Sequence, residues 1–416
     1  MHATAEKRER LGRFVDLARV YRGWTKTELS AALHRDPTKL IPQSGNPKLD
    51  LIAGIADALD WTIGDVAESV CENPTVSQGA YTGIGFERLN EMSLKAHRSA
   101  SFEDMVSIGQ AMLLVADDPV KKTTAFTRLS GGFNGMGRYA NALRVIQAAL
   151  TEPDIPLASR FMLHMNLANA HYTLWHLVEA KSIAGELLEQ MPLIADSLSD
   201  KHRRARTAFL HYVRGNALRR MIAESPHSLE LHAGRAREDI LTSRSMYADL
   251  AEEHSDSYFR GLANVCTGAE LELDSALGSL DPVEATDRIL EGLDQVVDPV
   301  TMEPDIELES WGWWAIFGCN IALRHLEGEL MQRQMAVFTN KAIEIGERLG
   351  NWAMRERAFT LEHFRRQQAD VSGVRQEPWP LDEEDIRVIT GTMGRFPAFR
   401  EVGWQILQNA RVLEVD

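Results

Sequence analysis

Leu129-Ser130-Gly131-Gly132-Phe133, followed by Gly137-Arg138-Tyr139, Ala142, Ala149 and Pro153, is the stretch whose reading decides the fold. Two helices approach closely only where small residues face the partner, and an aromatic ring can fill the gap left at their turn. The stretch supplies a large then a small residue on a first helix, Gly then Tyr at the turn, and small residues on a second helix. Pro153 follows, where a helix cannot continue. The pattern returns 38 residues on: Leu167-Ala168-Asn169-Ala170 stands for the first helix, Ala180 and Leu187 for the second, and Trp175 and Leu177 replace the turn Gly and Tyr. Arg214-Gly215-Asn216-Ala217, Leu262-Ala263-Asn264-Val265 and Gly318-Cys319-Asn320-Ile321 read as three more first helices. Insertions at Glu224-Ser225-Pro226-His227 and over 281–305 stretch the period. Thr339 to Arg366 reads as a pair around Leu349-Gly350-Asn351. After the linker Pro378-Trp379-Pro380, helices over Glu383–Met393 and Phe396–Leu413 close the array. No such unit buries its faces alone, so the units must stack.

These units resemble tetratricopeptide repeats. The resemblance implies an all-α chain whose residues 90–416 form a right-handed α-solenoid of five or six helix pairs.

Residues 1–70 read as a separate small helical domain. Thr25-Lys26-Thr27-Glu28-Leu29 carries a capping box, with Thr25 as N-cap and Glu28 three residues later, and Gly23 supplies the turn before it. Asp36 and Pro37 read as a second N-cap and first helical residue. Gly45-Asn46-Pro47 breaks the chain. Leu49, Ile52, Ile55, Ala56 and Leu59 then form a helical apolar stripe, closed by Asp60-Trp61-Thr62-Ile63-Gly64-Asp65-Val66. This order resembles the helix-turn-helix head of phage repressors of the Cro/CI (XRE) type. In that family a helix following the position of Pro37 lies in the DNA major groove. Here Pro42 limits it to Pro37–Ile41, and about three residues are missing before Gly45 relative to the family pattern. The resemblance leaves Lys26, Arg35, Thr38, Lys39 and Gln43 as DNA contacts, with Lys26 suited to a phosphate. The alternative is a head retained for dimerisation or packing. Residues 71–89, rich in Asn, Pro, Ser, Gly and Thr, read as a linker.

Composition bounds the rest. The 416 residues are 44% apolar and 25% charged, as in ordinary globular proteins. No apolar run reaches membrane-spanning length and no signal-peptide core follows the charged N-terminus, so the expected location is the cytoplasm. Cys71, Cys266 and Cys319 are too scattered for a disulfide framework or a zinc site. The net charge of −15 is uneven: residues 1–50 hold ten Lys/Arg against six Asp/Glu, residues 51–70 add four acids, and the deficit lies beyond residue 70. A head that touches DNA and a body that avoids it would be distributed this way.

No catalytic constellation is present, neither a P-loop, a Gly-x-Ser-x-Gly nor a His-Glu-x-x-His. No cofactor and no enzymatic activity are expected. His164 and His171 share a helical face without a carboxylate to complete a metal set. Gly131, Gly132 and Gly135 read as helix-packing glycines, and Trp311, Trp313 and Trp314 as core. The run Lys201–Arg206 reads as a solvated helix start. What remains is a series: Asn169, Asn216, Asn264 and Asn320 recur at one position of their first helices. Each carboxamide offers a donor and an acceptor to one peptide group. Tyr172, Tyr212, Arg219 and Arg220 fall on the same expected groove, where arginine can hold a carboxylate. Asparagine at this position can instead support the neighbouring helix.

In its order of head and repeats the chain resembles the peptide-sensing bacterial regulators of the RRNPP group, which use groove asparagines to hold a peptide. The resemblance implies a homodimeric transcriptional regulator that binds double-stranded DNA and a short peptide or partner-protein segment. The competing reading is an interaction scaffold or anti-activator whose head does not read DNA.

Overall fold

The computed structural model describes residues 2–37, 40–42, 47–61, 63–71, 81, 83–99, 101–222, 226–296, 301–371 and 379–412. The described chain is helical throughout apart from one pair of two-residue strands. It divides into two compact units, residues 1–82 and 83–416.

The first unit holds α1 (His2–Arg22), α2 (Lys26–Ala32), α3 (Leu49–Leu59) and α4 (Ile63–Cys71). Gly23, at φ +67°, ends α1, and the capping box starts α2: the Thr25 hydroxyl accepts from the Glu28 amide and the Glu28 carboxylate accepts from the Thr25 amide. Leu11, Val15 and Ala18 of α1 meet Leu29, Ile52, Ile55, Leu59 and Val66 in one core. Leu49, the first residue of the expected stripe, is exposed, and Leu51 is buried in its place. At the far end Asp60, in the left-handed conformation, accepts from Tyr21 Oη (2.8 Å) and Arg22 Nη2 (2.9 Å), which ties the end of α1 to the end of α3.

One expectation for this unit fails. Pro37 and Leu40–Pro42 form turns and bends, so among the described residues no helix lies between Ala32 and Leu49. The segment is instead held by its apolar side chains: Leu40 is buried in the core and Ile41 packs against it. Pro42, by excluding helix from the residue before it, leaves too few residues for a turn.

The second unit begins with α5 (Phe86–Arg98), which starts inside the stretch read as linker, and α6 (Phe102–Val115). The two clearest repeats follow as α7 (Pro119–Gly135) with α8 (Tyr139–Leu150), and α9 (Leu157–Thr173) with α10 (Leu177–Ile194). Next come α11 (Asp200–Ile222), α12 (Pro226–His254), α13 (Ser257–Ala276) and α14 (Pro282–Val296), the last inside the stretch read as an insertion. Then α15 (Ile306–His325), α16 (Gly328–Arg348) and α17 (Trp352–Val371) precede β1 (Pro380–Leu381) and α18 (Glu383–Arg395). The chain closes with α19 (Arg400–Asn409) and β2 (Arg411–Val412). Each helix packs mainly on its sequence neighbours, and α13 also packs directly on α15. This is the contact pattern of a stacked array.

All five expected first helices are helical: α7, α9, α11, α13 and α15. The last expected helix, over Phe396–Leu413, is shorter. It ends at Asn409, and Arg411–Val412 pairs in parallel with Pro380–Leu381. Trp379, read as linker, accepts a hydrogen bond from the Arg411 amide at its carbonyl and lies beside Phe359.

Close approach sets the α6–α7 contact. A Cβ on Gly132 would stand 2.8 Å from Val106 Cγ2 and 3.1 Å from the Val106 amide nitrogen. Gly234 of α12 has open space around it. Gly132→Ala is expected to destabilise by about 1–2 kcal/mol despite its helix propensity, and Gly234→Ala to stabilise by up to about 1 kcal/mol. Denaturant unfolding of the two variants reads both signs.

Candidate functional site

The asparagine series does not form one row. Asn216 is buried (1% exposed); its Nδ2 donates to the Tyr212 carbonyl (3.0 Å) and its Oδ1 accepts from Arg219 Nε (3.1 Å). Asn264 Nδ2 donates to Ser310 Oγ (2.8 Å), joining α13 to α15. Asn320 Nδ2 donates to Glu272 Oε2 (3.0 Å), joining the same helices from the other side. Three of the four are therefore engaged within the protein, Asn216 along its own helix α11 and Asn264 and Asn320 across the α13–α15 contact. That corrects the expectation of a continuous ladder. A buried carboxamide must find partners within the protein; Asn216 finds them one turn away on α11, and the adjacent first helix supplies those of Asn264 and Asn320.

Asn169 is different. It lies on the wall of a cavity of about 220 Å³ with Asn134, Asn166, Arg128 and His97. Among the described residues no hydrogen bond engages the side chains of Asn134, Asn166 or Asn169. Arg128, whose guanidinium burial presses below its usual range, is steadied by a bond from its Nε to Asn90 Oδ1 (3.0 Å). Asn134, Asn166 and Arg128 were not singled out from the sequence, although a signal was there. The 38-residue offset that carries Gly131 to Asn169 also carries Arg128 to Asn166, and residues three apart share a helix face.

A second cavity, of about 230 Å³, opens where α9 ends. Arg219 and Arg220 reach it, with Arg324, Arg357, Glu272, Trp175 and Asn320. Arg219 is buried and pairs with Glu272 (2.5 Å), its guanidinium 4.6 Å from the Phe317 ring centroid. Arg220 donates to the Tyr172 carbonyl (3.0 Å) and lies 3.9 Å from the Tyr172 ring centroid. Tyr172 is thus a buried shelf beneath Arg220. Tyr212 packs between two parts of the core, and burial raises its phenol well above the ordinary range.

Of the expected DNA contacts, Thr38, Lys39 and Gln43 lie outside the described residues. Lys26 is exposed at the first position of α2 and borders a cleft with Arg8, Arg19, Pro37 and Leu40. Arg35 Nη2 contacts both oxygens of Asp50 at 2.9 Å, and its side chain is 19% exposed. It joins the end of α2 to the start of α3 and is not extended into solvent.

The remaining groups have structural partners. His171 meets His176, not His164, with Nδ1 atoms 3.1 Å apart, and no metal-binding cluster of three occurs among the described residues. In the run 201–206, Arg204 pairs with Glu253 and Lys201 with Asp256. Trp314 donates to the Asn264 carbonyl (2.8 Å), as a core indole does, whereas Trp313 borders the second cavity. Cys266 and Cys319 are buried; burial pushes the Cys266 thiol up to about 12 and raises that of Cys319 as well, which keeps both unreactive. No described helix is long and apolar enough to cross a membrane.

No family model matches the chain. No curated protein matches it either. Among solved structures the chain is similar to that of Bacillus thuringiensis PlcR in complex with the peptide PapR7 and DNA. The identity is 13% and the TM-score 0.35, over 69% of this chain and 95% of that one. A likeness of that degree leaves the function of this chain to its own residues.

Proposed function

We propose that this chain is a peptide-responsive transcriptional regulator. Residues 1–70 are its DNA-contacting, helix-turn-helix-like head, the connection read over 71–89 gives way at Phe86 to the first helix of the body, and the body to residue 416 is a tetratricopeptide-like array that dimerises and holds the ligand. The observation that carries this reading is the set of three unengaged carboxamides, Asn134, Asn166 and Asn169, around one cavity on two consecutive first helices. Unpaired carboxamides on a groove wall fit an extended backbone, whose N–H and C=O groups each need a partner once water leaves. Asn166 and Asn169, three residues apart, stand about 4.5 Å apart along the helix axis, within the span of roughly two residues of an extended chain. Ligand binding regulates the head only if the ligand favours one of two states of the dimer.

A second reading rests on the head itself. With no described helix between Ala32 and Leu49 and with Arg35 held by Asp50, the head suits contact with a partner protein as well as with DNA. A DNA selection with the full-length chain across a salt series separates the two. The regulator reading predicts recovery of an inverted repeat. It also predicts that Lys26→Glu weakens binding and lowers the salt slope by about one or more phosphate contacts. Unselective binding that vanishes with salt favours the protein-contacting head. For the body, a displayed random-peptide library is expected to yield a consensus on the full-length chain. Asn134→Ala and Asn169→Ala should each weaken the selected peptide by about five- to ten-fold. Affinity unchanged in both variants overturns the peptide reading.

A further inference from the structure

The second cavity holds an imbalance of charge. Four guanidinium groups, from Arg219, Arg220, Arg324 and Arg357, face a single carboxylate, that of Glu272. Glu272 is already bound to Arg219 and Asn320. Arg324 and Arg357 have neither a hydrogen bond nor an ion pair among the described residues. Burial first, and then the like charges of Arg219 and Arg357, press Arg220 below its usual range against the opposing pull of Glu356. Two arginines without an ion pair, Arg324 and Arg357, thus share a wall with Arg219 and Arg220 in a chain whose net charge is −15. Such a cluster is destabilising by itself.

Trp175 organises it. Arg220 and Arg357 lie 4.4 Å and 4.6 Å from its ring centroid. Trp175 occupies the turn position that Gly137 fills one unit earlier, and both take a left-handed backbone, at φ +67° and +69°. Glycine adopts that conformation freely, whereas a bulky residue there costs about 1–2 kcal/mol. The strain is accepted at a turn whose indole holds two arginines.

We propose that this cavity is an oxyanion site that takes a group carrying at least two negative charges. Guanidinium forks recognise planar carboxylate and tetrahedral phosphate alike. Both cavities are served by the same stretch of chain: Asn169 of α9 lines the first, and Trp175, six residues on and just past the end of that helix, lines the second. The source of the anion is accordingly the acidic end of the same peptide, which rests on the reading above. A free phosphate compound shares the chemistry.

The test is calorimetric titration of the full-length chain with inorganic pyrophosphate, triglutamate and triglutamate amide. The variants are Arg324→Gln, Arg357→Gln and, as a surface control, Arg333→Gln. At least one probe should saturate, and each cavity variant should weaken it by about ten-fold while Arg333→Gln does not. Without ligand, the cavity variants should melt at or above the parent temperature, because they remove repulsion; a purely structural role would lower it. Triglutamate binding more tightly than its amide supports a peptide end, and pyrophosphate alone saturating supports a phosphate compound. No saturable binding of any probe, or binding unchanged in both cavity variants, overturns the site. The Asn134→Ala and Asn169→Ala variants should leave pyrophosphate binding unchanged, so failure of the peptide reading is distinguishable from failure of this one.

Discussion

The ion pair between Arg219 and Glu272 is the contact on which the geometry of the body depends. Both side chains are almost fully buried, at 4% and 3% exposure, and they join α11 to α13. Asn216 fixes the free edge of the guanidinium, and Asn320 brings α15 to the same carboxylate. A buried pair tolerates its desolvation only when its remaining donors and acceptors are answered, and the loss of one partner costs about 3–5 kcal/mol. Three helices are therefore fixed by one polar knot, with Phe317 beneath it. Around that knot Arg220 and Arg324 come to one cavity wall with Arg357 from α17.

The same physics divides the polar residues of the body into two kinds. Asn216, Asn264 and Asn320 spend their carboxamides within the protein, Asn216 along α11 and the other two across the α13–α15 contact. On α7 and α9, around the first cavity, the carboxamides of Asn134, Asn166 and Asn169 keep their hydrogen-bonding capacity. A site arises where the packing leaves polar groups unanswered, not wherever a polar residue recurs.

The helical order of the chain was legible because its signals are local: small residues at helix contacts, Gly at turns, and a capping box at Thr25 and Glu28. The roles of single side chains were not. Asn216 and Asn169 occupy equivalent positions in their units, and what distinguishes them is Arg219, which Glu272 of α13 holds against Asn216. Glu272, Arg324 and Arg357 come from helices far apart in sequence, so no spacing rule collects them. Trp175 was visible as a departure from Gly, but its two arginines were not. In the head the loss of helix at Pro37 was legible only in part. Pro42 announced a short helix; Pro37, the buried Leu40 and the partly buried Ile41 are not helical, and Thr38 and Lys39 lie outside the described residues.

The division between knot and cavity can be measured without knowing any ligand, by thermal unfolding of Asn216→Ala and Asn169→Ala beside the parent chain. The account predicts that Asn216→Ala lowers stability by about 1–3 kcal/mol, because it strands the Arg219 Nε–H, while Asn169→Ala leaves it within about 0.5 kcal/mol. Equal losses in the two variants, or a loss only in Asn169→Ala, would contradict it.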